Sequence, residues 1–159
     1  MKSERFAIKG KARIITTDSV TGKVKRTSKW YKNLIMLGTD TGKDLILDRL
    51  NGTNTYTLNI GHLDIGSSNT APAVTDTQLT TAVARTPKAS GTIVSNVITF
   101  AFFFASADLA NGTYWEVGTF IDGTSSINTG KIFNHLLFGS VYTKGTNEDT
   151  TVEVVFTLT

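Results

Sequence analysis

The residues able to do acid–base or metal chemistry are few: two histidines, His62 and His135, and, among the carboxylates, Asp64, Asp76 and Glu116. His62 and Asp64 are two positions apart, so an extended strand projects both from one face, as an acid–base pair or half a metal site requires. A zinc-type centre needs three or four ligands, and no third ligand stands at a recognised spacing. Asp64, Asp76 and Glu116 have the chemistry of glycosidase carboxylates. Nothing in the sequence pairs them across space, and acids occur on any soluble surface. The default for both histidines is a surface or loop position. There is no phosphate-cradling glycine loop, nucleophile elbow or zinc-protease helix. With no cysteine in the chain, disulfides, zinc-thiolate sites and thiol nucleophiles are excluded together. The expectation is a protein that is not an enzyme, with no cofactor and no metal.

Charge is the next candidate for function. The net formal charge is +3, but residues 1–32 hold ten Lys/Arg against Glu4 and Asp18, a net of +8. The remainder carries six basic and eleven acidic residues, a net of −5. Such polarity favours docking on an acidic partner or head-to-tail contact between copies. Lys9, Lys11, Arg13, Lys23, Lys25 and Lys29 form the expected partner interface. Trp30 and Tyr31 beside Lys29 and Lys32 would suit base stacking. Basic strands are more often solvated faces or protein contacts, so nucleic acid is not the expected partner.

The elements that carry these residues are strands. A 159-residue chain points to one domain. Its polarity rests on Thr, Ser, Asn and Gly, and β-branched Thr suits a pleated surface with one wet face. Phe6, Ile8, Ala12 and Ile14 alternate with Lys9, Lys11 and Arg13, a half-buried strand. Asp18–Gly22 is a turn, and a second strand returns from Lys23 to about Lys32, giving a basic β-hairpin over residues 1–32 ahead of a core over 33–159. Asp40 or Thr41 caps one short α-helix, about residues 41–50, which Asn51-Gly52 ends. Ile46, Leu47 and Leu50 are its expected apolar stripe. Further strands are expected over Tyr56–Ile65, Leu79–Thr86, Thr92–Ala105, Thr113–Ile121, Lys131–Tyr142 and Thr151–Thr159. The nearly continuous apolar run Val97–Ala105 reads as a central strand covered on both faces. Residues 67–78 read as a long ordered loop, a kind that is usually functional. Eight strands and one helix predict an all-β fold, a two-sheet β-sandwich or a jelly-roll-like barrel. Met1-Lys2-Ser3-Glu4-Arg5 leads into a strand rather than an apolar signal, and the Phe100–Ala105 run is too short to span a bilayer. The expectation is a chain made in a cytosol that stays soluble.

Four stretches, in order, resemble a pattern in small structural proteins of tailed bacteriophages. They are Trp30-Tyr-Lys-Asn33-Leu-Ile with the helix closing at Leu50-Asn-Gly52; Ile60-Gly61…Ile65-Gly66-Ser-Ser-Asn-Thr-Ala71-Pro72, running into Asp76-Thr-Gln-Leu79 and Arg85; Trp115-Glu116-Val-Gly118-Thr-Phe120; and Leu136-Leu-Phe-Gly-Ser-Val141 followed by Lys144. The resemblance implies a β-sandwich virion protein without a catalytic site, found among both capsid- and tail-associated components. It departs from the pattern at Thr80-Thr-Ala-Val-Ala-Arg85, where an acid often precedes the Arg. Arg85 then either pairs with Glu116, a better candidate than a local carboxylate, or simply ends a strand. The implied role is an accessory or decoration (cement) subunit docked on the capsid or tail exterior. A tail-tube or tail-adaptor (head–tail or baseplate) subunit is the alternative. A lectin-like host-recognition module using loop 67–78 and Trp115 is a further one. The implied partners are other virion proteins, such as the major capsid or tail protein, and copies of itself in a homo-oligomer. No membrane partner is implied; the protein would be made in the host bacterial cytoplasm and reside in the virion.

Overall fold

The computed structural model describes residues 6–159. The expected lead-in at Met1–Arg5 lies outside the described residues. Nine strands and one helix are present among them: β1 (Ile8–Asp18), β2 (Val24–Thr27), β3 (Tyr31–Ile35), α1 (Gly42–Leu50), β4 (Ile60–Gly66), β5 (Ala82–Val94), β6 (Val97–Phe104), β7 (Gly112–Ile121), β8 (Lys131–Lys144) and β9 (Glu148–Leu158). The sheet runs β2-β1-β3-β8-β7-β4-β5-β6-β9, and β9 pairs back onto β1 along its whole length, from Ile8 opposite Leu158 to Asp18 opposite Glu148. Eight antiparallel strands therefore close into a barrel, with β2 as an extra strand.

The barrel keeps the character of a sandwich because two strands change partners at its corners. β5 pairs with β4 as far as Pro87, then with β6 from Lys88 onwards. Proline has no N–H to donate, so it suits the point where one ladder ends. β3 pairs with β1 through Tyr31–Asn33 and with β8 through Leu34 and Ile35. One corner is thus made by thirteen residues and the other by five.

Alternation fills the interior. Ala12, Ile14 and Thr16 of β1 are buried, while Lys9 and Lys11 face out. Phe6 stands before the strand and is 73% exposed, so it does not extend the apolar face as expected. The returning strand 23–32 is two segments: Thr27 lies opposite Ile15 and Tyr31 opposite Ala12, four steps against three, so one extra residue bulges out around Ser28–Trp30. The turn before it forms as expected. The Asp18 carboxylate accepts the N–H groups of Val20 and Thr21, and Gly22 takes φ 69°.

Two expected strands are redistributed. The apolar stretch from Thr92 to Ala105 contains a tight turn at Ser95-Asn96, so it divides between β5 and β6. Strand β6 is not covered on both faces either. Phe100, Phe102 and Phe104 enter the core, and Phe103 is exposed. The aromatic run is continuous because both ladder edges are paired and Phe suits a strand, not because the strand is sandwiched. Phe133 and Phe100 meet Phe156 edge-to-face at 5.2 and 6.2 Å, and Tyr31 meets Phe138 at 5.6 Å.

Helix α1 begins after Thr41 and ends at Asn51-Gly52 with Gly52 at φ 83°. Thr41 does not cap with its side chain; its hydroxyl donates to the Gly38 carbonyl, and the Asp44 carboxylate accepts the Asp40 N–H. The buried stripe also differs from expectation. Leu45 is buried in the main core and Ile46 packs beside it, whereas Leu47 and Leu50 are exposed. A helix this short rests a single turn on the barrel, so one anchor suffices. Leu45→Ala is expected to cost about 2–5 kcal/mol and Leu50→Ala less than about 0.5 kcal/mol, read by urea unfolding. Equal losses would contradict this anchoring.

Candidate interaction surface

Strand alternation sorts the polar residues onto the outside of the barrel wall. Val117 and Leu136 belong to the main core, so Glu116, Gly118 and Phe120 of β7 and their neighbour His135 on β8 lie on the opposite face. Residues 67–81 and the segment after β3 cover that face. Met36, Leu79, Phe120 and Ile132 make a second buried cluster beneath them, with Leu34 and Ala82 packed alongside. Gly118 is required here, since a Cβ would stand 2.9 Å from both the Asn134 carbonyl and Leu79.

Two buried charge networks flank this cluster. In the first, the His135 ring is fully buried, with Nδ1 2.8 Å from Asp76 and Nε2 2.8 Å from Glu116. Glu116 also accepts the N–H groups of Thr80 and Thr81 at 3.0 and 2.7 Å. Burial works against its charge, but the His135 hydrogen bond and these two amides outweigh it and hold the carboxyl below its ordinary value. Gly66 makes room, because a Cβ there would fall 2.5 Å from the Glu116 carboxylate. Expecting His135 at the surface missed this arrangement. Both ring nitrogens are engaged from opposite sides by carboxylates, so neither offers a free lone pair to a substrate proton or a metal. The chemistry left to it is pinning loop 67–81 to the barrel.

The second network corrects the expected Arg85–Glu116 pair. Arg85 binds Asp64 through two nitrogens, Nη2 at 3.1 Å, with both side chains buried. Asp64 lies opposite Arg85 in the ladder, so a cross-strand carboxylate, neither Glu116 nor an acid just before Arg85 in the chain, reaches it. Arg85 also donates to Thr129 and to the Thr124 carbonyl, the Asn128 N–H donates to Asp64, and the guanidinium lies 4.6 Å over Phe120. Burial raises the Asp64 carboxyl above its ordinary value, with Arg85 only partly offsetting it. His62 does share this face, and burial followed by the Arg85 charge lowers its pKa. Its Nδ1 is buried without a partner among the described residues.

Other motif residues have packing roles. Buried Lys144 donates to the Ser106 and Gly145 carbonyls and to Asn111. The Asn33 amide is buried over Gly10 without a hydrogen bond among the described residues. Trp115 is half-buried at the irregularity between Tyr114 and Glu116. Nothing in the structure explains Gly61.

The basic face is real but partly spent internally. Arg13 pairs with Glu153 at 2.6 Å. Lys25 and Arg26 both bind Glu148, whose side chain is buried; the Arg26 hydrogen bonds lead, and the Gly145 N–H and Lys25 add, in lowering its carboxyl from 4.5 to about 2. Among the sequence-derived interface residues, Lys9, Lys11, Lys23 and Lys29 form no ion pair among the described residues. Lys32 stands directly opposite Lys11, and Trp30 collects Lys11 and Arg13 over its ring at 4.6 and 4.5 Å. Lys9, Lys11, Trp30 and Lys32 thus form an exposed basic strip with an aromatic centre. No helix among the described residues is long and apolar enough to cross a membrane. No family model, curated protein or solved structure matches the chain.

Removing Arg85 strands a buried carboxylate, so Arg85→Ala is expected to cost about 3–5 kcal/mol, whereas the double change Asp64→Leu with Arg85→Met should recover most of it. Chemical denaturation of wild type, Arg85→Ala and the double variant checks this, and a double variant no more stable than Arg85→Ala would contradict a direct pair. The Glu148 carboxyl is depressed on folding, so its stabilisation is complete above its ordinary 4.5 and is lost as pH falls towards about 2. Glu116 acts in the same direction. Unfolding free energy is expected to fall through that window, and less steeply in Glu148→Gln; identical slopes would remove Glu148 from the account.

Proposed function

We propose that this chain is a non-enzymatic structural subunit of a tailed-bacteriophage particle, an accessory or decoration component docked on the capsid or tail exterior. The observation that carries the reading is where the resemblance residues converge. Gly66, Asp76, Leu79, Glu116 and Gly118, drawn from separate stretches, meet in one buried outer cluster with His135. They build a rigid wall rather than a reactive centre, as expected for a protein whose work is to bear contacts. The exposed strip of Lys9, Lys11, Trp30 and Lys32 offers an acidic partner both charge and an aromatic anchor. Copies of the chain have a second contact available at the barrel end where β1 begins, beside Ile8. There Ile93 and Val94 are 71% and 69% exposed beside an apolar hollow of about 280 Å3.

A tail-tube or tail-adaptor role is the second reading. Internal pairing of Arg13, Lys25 and Arg26 with Glu153 and Glu148 favours it, since a less basic wall retards DNA less. A lectin-like module has less support, because Trp115 is half-buried and loop 67–78 carries no aromatic residue. The triple change Lys9→Glu, Lys11→Glu and Lys32→Glu is expected to cut incorporation into particles at least about tenfold while leaving thermal unfolding unchanged. Normal incorporation would overturn the docking role of the strip. Cryo-electron microscopy of the particle then separates the two positions, by density on the exterior shell or in stacked tail rings.

A further inference from the structure

The two corners of the barrel are closed unequally. At one, β5 serves both sheets with thirteen residues. At the other, β3 gives β8 only the pairs Leu34–His135 and Ile35–Asn134, while β8 continues to Lys144. Among the described residues, β8 joins no ladder on that side beyond Leu136, and β2 joins none on the side away from β1. The two edges diverge around a cleft of about 530 Å3 floored by Ile14, Thr16 and Phe138.

What spans the cleft is side chain rather than main chain. Arg26 reaches across to the Thr143 carbonyl at 2.8 Å, and Tyr31 meets Ser140 at 2.8 Å. Thr143 stands opposite Thr113 of β7, and since its carbonyl points into the cleft rather than along that ladder, its N–H points there too. Val141, beside it, is 40% exposed. Open strand edges in soluble proteins are ordinarily covered or guarded by charge. Here the guard, Arg26, is folded into the gap, where it also holds Glu148.

We propose that this open corner is an acceptor groove for one extended strand donated by a partner polypeptide. The donor pairs its main chain with the free edge of β8 on one side and of β2 on the other, and Arg26 gives up the Thr143 carbonyl. Since β3 and β8 are antiparallel, the donor runs parallel to one neighbour and antiparallel to the other. Alternate donor side chains rest on Ile14 and Phe138, which selects β-branched or aliphatic residues. Lys25 and Arg26 against the single Glu148 leave a positive excess at the groove, which selects a donor carboxylate. The groove is distinct from the Lys9–Lys32 strip and does not rest on the virion reading.

The test is selection of a displayed library of ten-residue peptides on the immobilised, purified chain. Enriched peptides are expected to alternate aliphatic residues and carry at least one Asp or Glu. Their binding is expected to fall at least tenfold in Thr143→Pro, which removes the N–H that faces the cleft, and in Val141→Trp, which fills the groove. Both variants are checked for wild-type thermal unfolding, and either alone suffices if the other misfolds. Lys9→Glu should bind as wild type. No enrichment over bare support, or peptides that bind both groove variants undiminished, would overturn the proposal.

Discussion

Everything in this fold depends on β9 returning to β1. That ladder joins the last strand to the first along eleven residues and converts an open sheet with two exposed edges into a closed wall. Closure fixes an inside, and the inside must then be filled. Six phenylalanines from β6, β8 and β9 do so together with aliphatic residues of every long strand. It also commits the alternate residues to an outside, where charge would ordinarily meet water. On the β4–β7–β8 wall a second layer intervenes, and the outward-facing acids and bases are buried after all.

That second layer explains why buried charge is tolerated. A carboxylate removed from water is costly unless it is paired and fully hydrogen-bonded. Glu116 accepts from His135, Thr80 and Thr81; Asp64 accepts from Arg85 and Asn128. Each network ties a loop to the barrel wall: residues 76–81 in one case, 124–129 in the other. Buried ion pairs are poor sources of net stability, but breaking one is expensive, so they fix position more than they add free energy. Rigid loops over a closed barrel suit the contact-bearing role proposed for this chain.

The surface is accordingly divided. One strip is basic with an aromatic centre, one barrel end is apolar, and one corner leaves strand edges free. Such separate faces fit the proposed role of a subunit that holds several neighbours, and the unequal corner lengths of β3 and β5 are what leave the third one open.

The sequence by itself determined the all-β class, the helix position, the Asp18–Gly22 turn and the alternation of β1, because these rest on local propensity and period. It located Arg85, Glu116, Gly66 and Gly118 as residues with a purpose. It did not locate the turn inside Thr92–Ala105, since Ser95-Asn96 interrupts an apolar stretch without glycine or proline. Nor could it show that His135 is buried or that Arg85 takes Asp64. Those outcomes turn on which strands are neighbours and on what folds over the outer wall. Burial and pairing of a charge are set by atoms distant in the chain, and only barrel closure brought those atoms together.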